Sequence, residues 1–367
     1  MTAIRPLLDR SITFVSFEEL SPGRAVTTHI CGLAAGLIAE GWQVRIVAES
    51  SDSAKAVSIL IRIWRYLRVT VRSIRCLVSR DVLLVRSHPA MLPILVYGRL
   101  IGCLAVVEIN GLPKDVAVTY RLSHQVAFLM RKITRLGWRT ATHIVAVTHG
   151  LAECIAAEVG SVPVSYVPNG VDTAFFCPGT TARPDAGYRY ALFYGDIAAW
   201  HGIDDLLAAT RSSYWPEAVR LVVIGRGSAM ERLDVPADLV DRVMWFDRMP
   251  SSSLLPYICH AEVGLVPITN PSGRSSNGVL PLKLLEMMAC ARPVVVTDLP
   301  GQSELVREAD CGLVVPVGRP DRLAAAVAEL SQSEDAARMG LRGRQAVVAH
   351  YDWRAVARIF QSAIEGR

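Results

Sequence analysis

The chain has 367 residues, is 51% hydrophobic and 20% charged, and carries a formal net charge of +5. That length exceeds the size at which one core stops growing, so two domains are expected, and the apolar content excludes a disordered chain. Eight cysteines without a CxxC or a Cys/His ladder fit reduced cytosolic thiols better than disulfides or zinc, so no structural metal is implied.

From the N-terminus, Met1 to Arg10 lacks an apolar run of secretory type, so no signal peptide is expected. Strands are predicted near Ser11–Ser16, Gln43–Ala48, Val82–Val85, Ala105–Ile109, Ile144–Val147 and Val164–Val167, and a helix over about Thr27–Glu40. The run Ala90 to Val107 contains Arg99, Pro93 and two glycines. It reads as a helix and a buried strand, because a lipid-exposed arginine is costly. After a Pro/Gly/Thr-rich linker, Cys177 to Gly187, strands follow near Tyr190–Tyr194, Arg220–Ile224, Val243–Phe246, Val263–Pro267, Val294–Thr297 and Gly312–Val315. Strands alternating with helices argue for a parallel sheet in each half, with ligands at the carboxyl ends of the strands.

Charge is unevenly shared. Residues 1–175 hold 19 Lys+Arg against 12 Asp+Glu, whereas residues 176–367 hold 20 against 22. Between Ser53 and Arg80 there are seven cations, Lys55 included, and no acid. On a helical wheel Arg62, Arg65, Arg68, Arg72 and Arg75 share one arc, with Ile59, Ile63, Tyr66, Leu67 and Ile74 opposite. Two readings stand: a helix packing its apolar side on the sheet with solvated arginines, or a helix resting on an anionic membrane surface. Nucleic acid is disfavoured, since no stacking aromatics interleave with the cations and no recognition motif accompanies them.

The segment Pro281-Leu282-Lys283-Leu284-Leu285-Glu286 opens a helix that Arg292-Pro293 ends before the strand Val294-Val295-Val296. Lys283 and Glu286 share one face of the first turn, where backbone N–H groups collect anionic ligands. The plain alternative is an amphipathic helix with a surface ion pair. Gly225-Arg226-Gly227 follows a strand but lacks the third glycine of a dinucleotide fingerprint.

This segment resembles the nucleotide-sugar motif, Pro-x-Lys-x-x-Glu then Met-Ala and Pro-Val-Val, of retaining GT-B glycosyltransferases of family 4. Val167-Pro168-Asn169-Gly170-Val171-Asp172, Trp200-His201-Gly202-Ile203 and Tyr351-Asp352-Trp353 resemble further family segments, in the right order. The resemblance implies an α/β GT-B fold: two Rossmann-like domains facing across a cleft, an acceptor-side domain over 1–172, a nucleotide-sugar domain over 173–352, and a helix over 353–367 crossing back to the first. It also implies a nucleoside diphosphate sugar as donor, no other cofactor and no metal. Glu286 would accept hydrogen bonds from the ribose hydroxyls, Lys283 would face the diphosphate, and His201 would stand where many members carry lysine, acting as a cation or as a neutral N–H donor. Gly225, Gly278, Val279 and Leu280 would line the donor site, Gly23 would bring backbone close to sugar and phosphate, and Asn110 would take the place of a catalytic histidine. Asn169 reads first as a turn residue.

Three positions depart from the pattern. Gly278 stands where the first glutamate of a Glu-x7-Glu pair is common, Asp196 where an arginine usually follows Gly195, and His201 where lysine is usual. Backbone N–H groups of Gly273 to Gly278 are expected to compensate. The expectation is a retaining, metal-independent hexosyltransferase in surface polysaccharide or glycoconjugate synthesis, cytoplasmic or peripheral on the inner membrane face. Its acceptor is a saccharide, lipid-linked or small-molecule hydroxyl. The alternatives are a non-catalytic GT-B subunit, an epimerase or phosphorylase on a related scaffold, and a transferase acting on a soluble secondary metabolite.

Overall fold

The computed structural model describes residues 10–50, 58–113, 123–179, 181–182, 184, 187–227, 237–270, 273 and 275–366. The stretch before Arg10 and Lys55 lie outside them. By internal contacts the chain divides into two compact units, Met1–Pro168 with Trp353–Arg367, and Asn169–Asp352.

In the first unit, β1 (Ser11–Val15), β2 (Gln43–Val47), β3 (Val82–Arg86), β4 (Leu104–Ile109), β5 (His143–Ala146) and β6 (Val164–Tyr166) form a parallel sheet in the order β2-β1-β3-β4-β5-β6. Its central strands are apolar runs buried on both faces, as covered parallel strands must be. The connecting helices are α1 (Ala25–Ala39), α2 (Ile59–Cys76), α3 (Leu92–Leu100), α4 (His124–Thr140) and α5 (His149–Val159).

Helix α2 keeps most of its arginines solvated, but much of its apolar side is not packed on the sheet as that reading expects. Val69 and Ser73 are buried, whereas Leu60, Ile63, Trp64, Leu67 and Val71 are exposed. Arg62, Arg68, Arg72 and Arg75 are exposed and Arg65 is half-buried; Arg65 pairs with Glu19, and Arg68 and Arg72 lie 3.5 and 3.6 Å from Glu49. The cause is the edge strand β2, of which only Val47 is buried, so the sheet offers this helix little apolar surface.

The second unit repeats the plan. Strands β7 (Arg189–Tyr194), β8 (Val219–Ile224), β9 (Val243–Phe246), β10 (Val263–Val266), β11 (Val294–Thr297) and β12 (Gly312–Val315) are parallel in the order β12-β11-β10-β7-β8-β9. Helices α6 (Ile203–Arg211), α7 (Ser251–His260), α8 (Leu282–Ala289), α9 (Gln302–Glu308), α10 (Pro320–Gln332) and α11 (Ala336–His350) cover it. The strand order reverses between β7 and β10, and a crevice at their carboxyl ends is where such sheets bind ligands.

The last helix, α12 (Trp353–Glu365), packs on α1 within the first unit. Two glycines of α1 admit it: a Cβ on Gly32 would sit 2.1 Å from the Trp353 ring, and one on Gly36 2.1 Å from the Trp353 carbonyl oxygen. Trp353 is buried and meets the His29 ring edge-on at 5.4 Å. Trp353→Ala is therefore expected to cost about 3–5 kcal/mol of stability, measured by urea unfolding. A loss under about 1 kcal/mol would show that α12 contributes little to the core.

Candidate active site

In the second unit the switch point is lined by the loop after β7, the loop after β10 and the start of α8. Gly195 N–H bonds to Ile224 O at 2.9 Å and Gly225 N–H to Phe246 O at 3.0 Å, so the ends of β7, β8 and β9 are stacked. A Cβ on Gly225 would lie 1.9 Å from Gly195 O, which is why this position takes glycine. Gly202 has φ +72°, and a Cβ there would meet Pro267 O at 1.9 Å. The glycine of the Trp-His-Gly segment thus lets the β7 and β10 loops touch.

Lys283 and Glu286 do not form the surface ion pair of the plain reading. The Lys283 Nζ is sealed from solvent with no hydrogen-bond partner among the described residues, and it lies 4.3 Å from the centre of the Phe193 ring. It also presses on the glycine loop, 3.2 Å from where a Cβ on Gly195 would be. Burial lowers this ammonium to about 8, with Glu286 and Asp196 pulling the other way. A buried cation without a counter-ion is costly unless an anionic ligand supplies one.

Glu286 instead accepts a hydrogen bond from the Tyr194 hydroxyl at 2.6 Å, and that hydroxyl lies 3.3 Å from the Lys283 carbonyl oxygen. Burial raises the Glu286 carboxyl, opposed by the Tyr194 hydrogen bond and Lys283. Burial and the neighbouring carboxylate push the Tyr194 phenol well up, so it remains a donor. Tyr194 was missed in the sequence, where the end of a strand gave no sign of its partner. Tyr194→Phe removes one donor to a carboxylate and is expected to weaken nucleotide binding about threefold to tenfold by calorimetry. An unchanged affinity would show that Tyr194 does not set the carboxylate.

His201 is buried in a short turn, its ring tilted against that of Trp200 at 3.8 Å and lying 6.5 Å from the Phe193 ring. Its Nδ1 accepts from the Ala198 N–H at 3.4 Å. That bond leaves the proton of a neutral ring on Nε2, so of its two expected modes the geometry fits the neutral donor.

The loop into α8 is tied down. Gly278 has φ +92° and donates its N–H to Ser275 O at 3.1 Å, Val279 donates to Pro300 O at 2.9 Å, and Leu280 O accepts from the Asn169 side chain at 2.7 Å. Asn169 thus braces this loop as well as forming a turn. The positive φ explains why Gly278 is not the usual glutamate. Of the backbone donors expected from Gly273 to Gly278, four are taken: Gly273 N–H goes to Asn270 O, Ser275 N–H to Asn270 Oδ1, Ser276 N–H to Gly273 O and Gly278 N–H to Ser275 O. Arg248, in the turn after β9, pairs with Asp196, the residue that stands where an arginine is usual, and neutralises its charge.

In the first unit Gly23, φ +76°, lies in the exposed turn before α1. Asn110 follows β4, half-buried, with its Nδ2 sealed from solvent and its side chain helping to hold the Glu108 carboxyl down. Two residues earlier, Glu108 is buried against His29 with Arg86 at 4.0 Å. Burial alone would raise the Glu108 carboxyl, but His29 and Arg86 hold it down to about 2. Gly23 and Asn110 belong to one unit and His201, Gly225, Lys283 and Glu286 to the other. Among the described residues no group of three His, Cys, Asp or Glu is arranged to hold a metal ion, and all eight cysteines are free thiols.

Two doubly wound parallel units define the GT-B class, and comparison with known proteins gives the family. Residues 26–175 match Glycosyltransferase Family 4 and residues 188–333 match Glycosyl transferases group 1. The chain belongs to this glycosyltransferase family. It is 31% identical over 207 residues, 53% of this chain and 54% of the other, to the GDP-mannose-dependent alpha-(1-6)-phosphatidylinositol monomannoside mannosyltransferase of Mycobacterium tuberculosis. It is 32% identical over 223 residues, 55% of this chain and 47% of the other, to the D-inositol 3-phosphate glycosyltransferase of Acidothermus cellulolyticus. The chain thus spans about half the length of these curated relatives. The solved sucrose-phosphate synthase of Thermosynechococcus elongatus shares the fold, with TM-score 0.71 at 17% identity over 96% of this chain and 98% of that one.

Proposed function

We propose that the chain transfers a hexosyl group from a nucleoside diphosphate sugar to an acceptor hydroxyl with retention of configuration. The observation that carries this reading is the sealed Lys283 ammonium at the start of α8, which has no hydrogen-bond or ion-pair partner among the described residues and sits one turn from a carboxylate already oriented by Tyr194. A diphosphate supplies the missing anion, and ribose hydroxyls donate to Glu286. As the glycosidic bond breaks, charge grows on the leaving diphosphate; Lys283 stabilises that charge, with His201 as a neutral donor. The acceptor hydroxyl attacks the same face, and its proton passes to the leaving phosphate oxygen. Asn110 lines the acceptor side.

GDP-mannose is the first donor to test and an inositol-bearing lipid the first acceptor class, because the mycobacterial relative is described as using both. A lipid-linked acceptor in glycoconjugate synthesis puts the protein on the inner face of a membrane, in contact with anionic lipid. Among the described residues no helix is long and apolar enough to cross it. A non-catalytic subunit is the second reading, favoured by Gly278 and Asp196. The Asp196–Arg248 pair weighs against it, because it neutralises the carboxylate.

Release of nucleoside diphosphate from UDP-, GDP- and ADP-sugars, with and without inositol phosphate, tests the reading. Acceptor-stimulated release that persists in EDTA is the expected result. Absence of release from every donor sinks the transferase reading and leaves the binding subunit.

A further inference from the structure

The first turn of α8 carries Lys283 and Glu286, and its other end meets the end of α7 beside a cluster of cysteines. Cys290 caps α8, its N–H bonded to the Glu286 carbonyl oxygen at 3.1 Å. Arg292 stitches the two helix ends together, with Nε donating to Cys290 O at 3.2 Å and Nη1 to Ala261 O at 3.4 Å. Ala261 follows Cys259 by one turn of chain. The Cys259 Sγ donates to the Cys177 carbonyl oxygen at 3.3 Å and is hydrogen-bonded to the Cys290 thiol. Both thiols lie in one buried cluster, and neither takes part in the site described above.

Their surroundings make the two thiols unlike. Burial pushes the thiols of Cys103 and Cys311 up to about 11 and about 12, as expected of inert structural cysteines. Cys259 goes the other way, down to about 6. The hydrogen bond from Cys290 outweighs burial there, with help from the Thr181 hydroxyl and the charges of Arg292 and His260. Cys290 is pushed up by that same bond, by burial and by the Cys259 charge, so it keeps its proton. Cys259 also retains 6% of its exposure and Cys290 none. A small uncharged oxidant therefore meets a thiolate at Cys259 with a second thiol in contact behind it, which is the arrangement of a cysteine that oxidises reversibly.

We infer that Cys259 and Cys290 are a peroxide-sensitive thiol pair whose disulfide ties the end of α8 to α7 and weakens donor binding. The Cys259 thiolate attacks one oxygen of hydrogen peroxide and the O–O bond breaks. The products are a sulfenic acid and a hydroxide, which leaves as water with the proton the thiol has lost. The Cys290 sulfur then displaces the sulfenic hydroxyl, which departs with the Cys290 proton as a second water. Two thiols are oxidised to one disulfide, and one peroxide is reduced to two waters. The sulfurs close to about 2.0 Å, well inside the contact distance of two thiols, so the end of α8 shifts toward α7. Lys283 and Glu286 ride on the same eight-residue helix, and a displacement of about 1 Å is enough to spoil positioned contacts. The effect on donor binding rests on the donor-site reading above; the disulfide itself does not.

Peroxide treatment of the folded full chain, followed by alkylation, digestion and mass spectrometry, tests the pairing. A Cys259–Cys290 cross-link is expected, reversed by dithiothreitol. In Cys290→Ala a sulfenic acid that dimedone traps is expected at Cys259, whereas in Cys259→Ala Cys290 should stay a thiol. Calorimetric titration of GDP, UDP and ADP in turn reads the consequence. The nucleotide that binds the reduced protein should bind the oxidised wild type about tenfold or more weakly. Dithiothreitol should restore its affinity, and peroxide should leave the affinity of Cys259→Ala unchanged. Oxidation of the exposed Cys31 without the cross-link overturns the pair, as does a cross-link that forms only in urea or joins Cys259 to Cys177. A native cross-link with unchanged nucleotide affinity overturns the control of donor binding. A native cross-link in a protein whose reduced form binds none of the three nucleotides upholds the disulfide and sinks the donor-site reading instead.

Discussion

Lys283→Met is expected to lower turnover by about a hundredfold or more at saturating donor, with a smaller loss of donor affinity. The side chain is sealed and has no hydrogen-bond partner among the described residues, and Met keeps most of its length while removing the charge. Diphosphate charge grows as the sugar leaves, so the lost interaction weighs more in the transition state than in the bound ground state. The protein also carries a pH signature. Burial lowers the free ammonium to about 8, and a bound diphosphate favours the charged form, so donor binding takes up a proton above that pH. Donor affinity should fall as pH rises beyond about 8, approaching tenfold per unit, and the fall should be absent in the Met variant. Donor-free stability runs the other way. The unfolded lysine keeps its proton up to 10.5, so between 8 and 10.5 the unfolded state binds more protons and stability rises with pH. Calorimetry of donor binding from pH 7 to 9 checks the first effect. A wild-type affinity that does not change across that range would remove Lys283 from the diphosphate.

The fold was legible where burial forces a simple pattern. Strands such as Val82–Arg86 and Val294–Thr297 are covered on both faces, and nothing but an uninterrupted apolar run suits them. The site was legible where a residue type is tied to the chain direction, as with Lys283 and Glu286 in the first turns of a helix after Pro281. It was illegible where partners come from distant strands. Tyr194 lies 92 residues before Glu286, and Arg248 lies 52 after Asp196, so no local spacing announces either contact. Helix α2 shows a different limit. Its periodicity reveals two faces, but how much of either is covered depends on what the sheet offers. The edge strand β2 offers glutamates nearby and little apolar surface.

Glu286→Gln is the most direct test of the donor site. The substitution keeps the shape of the side chain and removes its charge. The neutral amide keeps an acceptor for Tyr194 but loses the charge-assisted bonds from the ribose hydroxyls, each contributing about 1.5–3 kcal/mol. Donor affinity should drop between tenfold and roughly a hundredfold for each bond lost. The loss should appear in free nucleoside diphosphate as well as in the sugar donor, because the contact is to ribose. Tyr194→Phe should give a smaller loss, and the double variant should lose less than the two single effects combined, because both act through one carboxylate. Titration of nucleoside diphosphate into the folded Gln variant decides the matter. An affinity within twofold of wild type would move the ribose contact to another residue of the crevice between β7 and β10.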